Sequence, residues 1–389
     1  LGALLWGAML FATAPARADG HADGGTPAEV SAERYLEREA VRRWIRETSE
    51  ERELDRHHVS GLFARLTPRR DVLEAISTPA ERTLTWAEYR PIFLGEERIR
   101  AGRAFLAEHA ATLARAEERF GVPARVIVAI IGVETLYGRI TGRHEVLASL
   151  ATLAFDYPPR AAFFGDELAE FLVLSEEEGW NALEIRGSYA GAMGLAQFIS
   201  SSYRHYAIDF DGDGRRDIWG DDPRDALASA AAYLRDNGWV TGQPWGVEVR
   251  LPDGFDYLSA NRSVQKSPAD WAALGVLDTD GAAVPDHGTA SILLPAGAQG
   301  VAFMVFRNFE VLESYNTADA YVIAVGHLAD RIAGADPLKG DWPRTDRALS
   351  FDERIELQER LTAQGFDTQK IDAKIGPLTV DAVRNWQAA

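Results

Sequence analysis

Residues 121–134 read Gly121-Val122-Pro123-Ala124-Arg125-Val126-Ile127-Val128-Ala129-Ile130-Ile131-Gly132-Val133-Glu134. The Gly-Val-Pro break stops whatever precedes it, and proline's fixed φ suits the first turn of a new helix. Val126, Ile127, Ile130, Ile131 and Glu134 then recur at spacings of three and four. The residues are β-branched, but the run is too long for an ordinary strand and carries the helical period, so a helix is predicted here. Its apolar stripe ends in a carboxylate near the helix C-terminus.

Helical patterning continues on both sides. Ala32 to Leu66 carries amphipathic spacing through Tyr35, Leu36, Val41, Trp44 and Ile45, and Arg103 to Phe120 shows it more strongly. Further helices are expected at Pro159–Glu178, Ala192–Tyr206, Asp225–Asn237 and Ala318–Ala333. Strand signals are confined to Ser291–Leu294 and Val301–Phe306. The expected fold class is mainly α (α+β), a helical domain with a small β element. A shift to Asp, Pro, Gly and Arg over Gly334–Leu349 predicts a linker, placed at 336–348, before a small helical module at 349–389.

The chain has 389 residues, 46% hydrophobic and 26% charged, which suits a globular protein of two or three domains. A net charge of −18 argues against nucleic acid, whose binders need a basic footprint, and against anionic membrane surfaces. The absence of cysteine removes disulfides, thiolate metal sites, catalytic thiols and a lipidated N-terminal cysteine. Residues 1–14, Leu-Gly-Ala-Leu-Leu-Trp-Gly-Ala-Met-Leu-Phe-Ala-Thr-Ala, are apolar but too short to span a bilayer, and Ala16-Arg17-Ala18 supplies a small-x-small cleavage pattern. Residues 1–18 therefore read as part of an export signal, 19–30 as a polar linker and 31–335 as the main domain. No stable membrane insertion is expected, and the alternative for the apolar run is a buried N-terminal helix.

Glu134 is the residue with the clearest chemical potential. Burial beside isoleucines, at a helix end whose dipole disfavours an anion, should raise its pKa, as a glycosidase-type general acid requires. The ordinary alternative is a carboxylate that is simply capped or ion-paired.

The residues around it distinguish these readings. Gly132-Val133-Glu134-Thr135-Leu136-Tyr137-Gly138-Arg139 resembles the GVET-x-YGR motif of the lytic transglycosylase B family. Gly187-Ser188-Tyr189-Ala190-Gly191-Ala192-Met193-Gly194, continuing to Gln197-Phe198, looks like its GS[FY]AGAMG-x-x-QF signature, and Tyr315-Asn316 with Tyr321 like its YN…Y segment. The likeness runs from about Trp86 to about Gly334 in family order. It implies a lysozyme-like catalytic domain, no cofactor for the chemistry, and Glu134 as sole catalytic carboxylate. It further implies that Ser188 and Gln197 contact the sugar beside the scissile bond and that Asn316 lies near the acid. Tyr89, Tyr189, Tyr233, Tyr315 and Tyr321 would line the groove with Arg160. Core packing is the alternative for each tyrosine. Phe163, where the family often has tyrosine, and Pro79-Ala80-Glu81-Arg82 depart from the family pattern.

Asp209-Phe210-Asp211-Gly212-Asp213-Gly214-Arg215 alternates oxygen ligands and places glycine sixth, as a calcium loop does. A structural Ca2+ would take Asp209, Asp211, Asp213 and the carbonyl of Arg215. Position twelve is Gly220, so Asp217, Asp221, Asp222 or Asp225 must close the shell, and family resemblance favours Asp225. The alternative is an Asp/Gly turn without metal.

Leu357-Gln358, Leu361, Gly365, Ile371-Asp372, Ile375-Gly376, Thr379 and Trp386-Gln387 resemble a peptidoglycan-binding module, ending before the module's usual third helix. The resemblances together imply a periplasmic enzyme whose partner is the glycan strand of peptidoglycan. It would cleave the MurNAc-GlcNAc β-1,4 bond without water and leave 1,6-anhydroMurNAc ends. A hydrolytic muramidase and a noncatalytic murein-binding scaffold are the rivals.

Overall fold

The computed structural model describes residues 34–77, 86–220, 222–343, 349–373 and 375–389. The expected signal and first linker, the Pro79–Arg82 departure and Asp221 lie outside the described residues.

The helices in chain order are α1 (Glu39–Glu51), α2 (Arg56–Phe63), α3 (Arg70–Ser77), α4 (Trp86–Phe93), α5 (Glu96–Glu108), α6 (Ala110–Phe120) and α7 (Ala124–Thr135). Then come α8 (Val146–Asp156), α9 (Ala161–Glu177), α10 (Ser200–Tyr206), α11 (Arg224–Asp236), α12 (Pro268–Ala273), α13 (Arg307–Tyr315), α14 (Asp319–Ile332), α15 (Phe351–Ala363) and α16 (Pro377–Ala388). The fold is lysozyme-like and mostly helical, as expected.

The centre is α7. Every residue from Val126 to Thr135 is buried, so the helix is enclosed on all sides and does not merely present one stripe. A helix apolar all round has no other stable place than the core. It packs on α14 and α5, with α6 and α11 beside them. Leu113 and Phe120 of α6, Leu227 and Leu234 of α11, and Val322, Val325 and Leu328 of α14 fill the same core.

Two stretches differ from the sequence reading. The helix expected from Arg103 begins earlier, at Glu96, and breaks at His109, where φ −104° and ψ 19° leave the helical region. The helix expected over Ala192–Tyr206 exists only from Ser200. Gly191, Gly194 and Gln197 have φ of 84°, 69° and 50°, and three left-handed residues within seven cannot continue a right-handed helix. Residues 192–199 instead form a tight fold-back in which Met193 and Phe198 exchange backbone hydrogen bonds of 2.8 and 2.9 Å.

The small β element is a four-stranded antiparallel sheet in the order β4-β3-β6-β5, built from β3 (Gly246–Arg250), β4 (Leu277–Asp278), β5 (Ser291–Leu293) and β6 (Ala302–Val305). A separate two-stranded ribbon pairs β1 (His144–Glu145) with β2 (Arg186–Gly187). Along β6 the side chains alternate between two cores, as the pleat requires. Phe303 and Val305 enter the helical core, whereas Ala302, Met304 and Phe306 meet Val249, Ile292 and the fully buried Trp271 on the other face. Strand β3 was not anticipated, although Val247-Glu248-Val249 alternates in the required way.

The first part of the expected linker is pinned to this sheet. The backbone N–H groups of Lys339 and Gly340 donate to the Glu248 carboxylate at 2.9 and 2.7 Å, and Trp342 packs against Phe303. In the terminal module, Ser350 and Glu353 cap α15 reciprocally. Gln358 is buried and ties the small core together. Its Oε1 accepts from the N–H groups of Asp372 and Ala373 at 3.0 and 2.9 Å, and its amide donates to Thr379 Oγ1 at 3.2 Å. Among the described residues no helix is long and apolar enough to cross a membrane.

Trp245, just before β3, joins sheet to helix bundle. Its ring covers Gly326 of α14, where an added Cβ would come within 2.4 Å, and its Nε1–H donates to Asp330 Oδ2 at 2.9 Å. Burial pushes the Asp330 carboxyl up from 3.8 to about 6, against the bond from Trp245 and the charge of Arg125. Folding therefore takes up a proton between those two values, and stability falls as pH rises through the window. Asp330→Asn keeps an acceptor for Trp245 and removes the buried charge. Thermal melts at pH 7.5 should show a gain of about 1–2 kcal/mol that vanishes near pH 4, and an equal gain at both pH values contradicts this account.

Candidate active site

Glu134 lies in the last turn of α7 with 1% of its surface exposed. Tyr321, fully buried in the first turn of α14, donates its hydroxyl to Glu134 Oε1 at 2.6 Å. Beside it the Tyr315 ring stacks on that of Tyr321 with centroids 6.4 Å apart and planes inclined by 14°. Tyr315 donates to the carbonyl of Ala196 at 2.7 Å, and Tyr233 donates to the carbonyl of Ser314. The Tyr233 and Tyr315 rings stand 4.6 Å apart. Burial raises the pKa of both phenols well above the ordinary range, and any negative charge on Glu134 adds to the effect on Tyr315. They remain protonated donors at any physiological pH. Tyr233, Tyr315 and Tyr321 are each at most 5% exposed, so they form a hydrogen-bonded wall with their hydroxyls engaged inside the protein.

The chain leaves α7 through an unusual path that fixes Glu134. Leu136, Tyr137 and Gly138 are all left-handed, with φ of 50°, 59° and 82°. For non-glycine residues each such conformation costs of order 1 kcal/mol and persists only when the surroundings over-determine it. Here they do. Tyr137 N–H donates to the Ile131 carbonyl at 3.2 Å, and Thr135 Oγ1 accepts from Gly138 N–H at 3.0 Å while lying 3.1 Å from the Leu195 carbonyl. The Tyr137 ring is wedged between two glycines. A Cβ on Gly132 would fall 2.6 Å from the ring, and one on Gly102 would fall 2.5 Å from its oxygen. Its hydroxyl donates to the carbonyl of Arg98 at 2.9 Å, and Arg98 Nη1 donates to the carbonyl of Gly132 at 2.6 Å. Thr135 and Tyr137 belong to a motif visible in the sequence, whereas nothing local marked Arg98 or Gly102.

The second motif forms the fold-back beside this helix end. Ser188 is buried, and its Oγ accepts from Ala190 and Ala192 N–H at 3.2 and 3.0 Å, which shapes the loop. Gly187 and Gly142 touch through backbone, since a Cβ on Gly142 would lie 2.1 Å from Gly187. Gln197 Nε2 donates to the carbonyls of Thr141 and Gly194 at 3.1 and 2.8 Å, and its buried Oε1 has no hydrogen-bond partner among the described residues. Asn316 Oδ1 accepts from Ala318 N–H at 3.0 Å as α14 begins. Tyr189 is 8% exposed. The Arg160 guanidinium stacks 4.0 Å from the centre of the Phe163 ring, which gives that departure from tyrosine a definite contact. Tyr89 lies in α4, and its side chain is outside the described residues.

In the acidic loop, carboxylate oxygens of Asp209, Asp211 and Asp213 lie within 4.8 Å of one another. Gly212 and Gly214, at φ 83° and 88°, make the turn, and their N–H groups donate to the two Asp209 oxygens at 2.6 and 2.9 Å. These bonds, that from Gly214 first, hold the Asp209 carboxyl below its usual range. Arg215 N–H donates to Asp213 at 2.8 Å. Asp225, buried in the first turn of α11, accepts from Phe210 and Asp217 N–H at 2.8 and 3.0 Å and so ties both limbs of the loop to that helix. Burial raises its carboxyl above the ordinary value.

A buried carboxyl held by a phenolic wall, in a lysozyme-like helical domain, points to a glycan-cleaving class. The pattern of the transglycosylase SLT domain family matches residues 37–330, and that of a putative peptidoglycan binding domain matches 351–389. The chain belongs to the transglycosylase SLT domain family, whose members here are lytic, peptidoglycan-cleaving enzymes. It is 37% identical over 265 residues to membrane-bound lytic murein transglycosylase B of Escherichia coli K12, covering 67% of this chain and 70% of that one. It resembles SltB3 from Pseudomonas aeruginosa, solved with NAG-anhNAM-pentapeptide, at 42% identity over 90% of this chain and 94% of the other, with a TM-score of 0.85. Escherichia coli Slt35 in complex with calcium matches at 33% identity over 75% and 91% of the two chains, with a TM-score of 0.66.

The glycine clamp generates a specific expectation. Gly132→Ala forces a methyl into the Tyr137 ring, so stability should fall by about 1–3 kcal/mol in a denaturant melt and activity should fall with it. A variant as stable and active as the parent removes the clamp from the account.

Proposed function

We propose that this chain cleaves the β-1,4 bond between N-acetylmuramic acid and N-acetylglucosamine without water, with Glu134 as acid and then as base. Sealing a carboxyl from water favours its neutral, proton-bearing form, and Glu134 is 1% exposed. The neutral acid protonates the bridging oxygen as its bond to C1 of the muramyl residue breaks. The carboxylate left behind, held by Tyr321, then accepts the proton of the muramyl C6 hydroxyl as that oxygen bonds to C1. The departing sugar keeps the first proton, Glu134 regains one, and the product carries a 1,6-anhydro ring. Hydrolytic glycosidases generally need a second carboxylate to activate water or attack C1. The acid's role rests on buried Glu134 held by the Tyr321 hydroxyl, with the Tyr315 ring stacked on Tyr321, and the non-hydrolytic reading rests on the family of lytic transglycosylases to which the chain belongs. The anhydro product named in the SltB3 complex supports it.

Ser188, Gln197 and Asn316 are proposed to border the scissile bond. The free Oε1 of Gln197 is available to accept a hydrogen bond from a sugar N–H or O–H group. Tyr89, Tyr189 and Arg160 are proposed groove residues, with Tyr233, Tyr315 and Tyr321 forming its inner wall. Residues 31–335 would be the catalytic domain and 349–389 a module that holds peptidoglycan. Residues 1–18 would direct export to the periplasm.

Glu134→Gln keeps the shape and removes the proton, so release of soluble muropeptides from sacculi should drop by at least about a thousandfold while the melting temperature stays within a few degrees. Mass spectrometry of the parent enzyme's products should show ends one water lighter than hydrolysed ends; hydrated ends establish the muramidase instead.

The acidic loop fits a divalent cation through its three converging carboxylates and left-handed Gly214. Asp209, Asp211, Asp213 and the carbonyl of Arg215 would hold Ca2+, with Asp225 behind them, and the ion would brace the loop on α11. Calcium in the Slt35 structure supports this. At a hundredfold excess over its dissociation constant, calcium should stabilise the protein by about 2.7 kcal/mol relative to EDTA, and Asp211→Asn should abolish most of that gain. Identical melts with calcium and EDTA return the loop to an Asp/Gly turn.

A further inference from the structure

The terminal module touches the catalytic domain close to the turn that carries the phenolic wall. Helix α16 packs on the short 3-10 turn Tyr257–Ser259, and Arg384 of α16 donates to the carbonyl of Ala260. Two residues on, Arg262 reaches the helix pair α13 and α14. Its guanidinium stacks 4.4 Å from the centre of the Phe309 ring, pairs with Glu313 near the end of α13, and lies 3.5 Å from Asp319 at the start of α14. Glu313 and Asp319 bracket residues 314–318. Within and just after that span, the Ser314 carbonyl receives Tyr233, Tyr315 donates to Ala196, Asn316 accepts from Ala318 N–H, and Tyr321 holds Glu134.

We infer that Arg384 and Arg262 are positioning residues: the terminal module, through them, fixes the α13–α14 turn and so the placement of the Tyr321 hydroxyl on the acid. Exposed ion pairs usually contribute little. This cluster differs because one guanidinium, stacked on a ring and largely covered, faces two carboxylates. Desolvation pushes the Glu313 carboxyl up to about 7, and the nearby Asp319 adds to that rise. Burial also raises Asp319, and both Arg262 and Arg384 oppose it. Without the cations, a partly covered Glu313 and a half-exposed Asp319 at the two ends of one turn repel each other, and the turn loosens.

The inference rests on Glu134 being the catalytic acid, and the test separates the two claims. Full-length parent, Arg384→Gln, Arg262→Gln and the double variant are assayed on a soluble, peptide-free murein tetrasaccharide, too short to engage the module as an anchor. If Arg384 positions the turn, Arg384→Gln lowers kcat about fivefold while KM stays within about twofold, and Arg262→Gln lowers kcat further. The double variant should be no worse than Arg262→Gln alone, because both act through one contact chain. Arg384→Lys, which keeps a donor for Ala260, should recover most of the loss and guards against a folding defect. Unchanged kcat on the short glycan, or losses that simply multiply in the double variant, overturn the inference. All rates are ratios to the parent, so failure of Glu134→Gln to abolish activity sinks the catalytic assignment independently.

Discussion

A carboxyl group buried to 1% exposure cannot sit at the end of an apolar helix without a partner, and here that partner is the hydroxyl of Tyr321 across the α7–α14 interface. A 2.6 Å bond ties two largely buried helices together, the C-terminal end of α7 to the first turn of α14. Much of the surrounding structure follows from keeping that bond in place. The Tyr233, Tyr315 and Tyr321 rings pack on one another, and each hydroxyl is spent on a carbonyl or carboxylate, so the wall has little freedom to move.

Both sides of the interface are restrained. On the acid's side, α7 ends in three left-handed residues held by Tyr137 between Gly102 and Gly132. That ending stops the helix directly after Glu134 and Thr135 and turns the chain toward the fold-back 187–198. On the tyrosine side, the α13–α14 turn is closed by Asn316 within and by Arg262 from without. The acid is thus placed by strain offset by packing, and its partner by polar contacts that reach the molecule's periphery.

The sheet serves these helices from one face while building its own core on the other. Trp245 joins it to α14 through Gly326 and Asp330, and the segment 339–342 is pinned to its two central strands through Glu248 and Phe303. The acidic loop does for α11 what the sheet does for α14: Asp225 receives two backbone N–H groups and holds the loop on the helix that carries Tyr233. These attachments anchor α11 and α14, two of the four helices that carry Glu134 and the tyrosine wall.

Much of the site could be read in advance. Spacing marked α7 and its terminal carboxylate, and the ordered motifs around Glu134, Ser188 and Tyr315 marked the family, because such features are local in the chain. Sequence also determined the helical class, the C-terminal module's helices and the alternating strand β6. It misread Ala192–Tyr206 as one helix, because the hydrophobic pattern does not reveal that Gly191, Gly194 and Gln197 are left-handed. It missed β3, whose alternation becomes decisive only when β6 lies beside it. Only the tertiary structure decided that α7 is buried on every side, that Tyr137 is clamped by Gly102 and Gly132, and that Tyr321 reaches Glu134 across 187 residues of sequence. The reason is physical: periodicity records which residues avoid water, whereas hydrogen-bond partners and steric clamps depend on which distant segments the packed chain brings within a few ångströms.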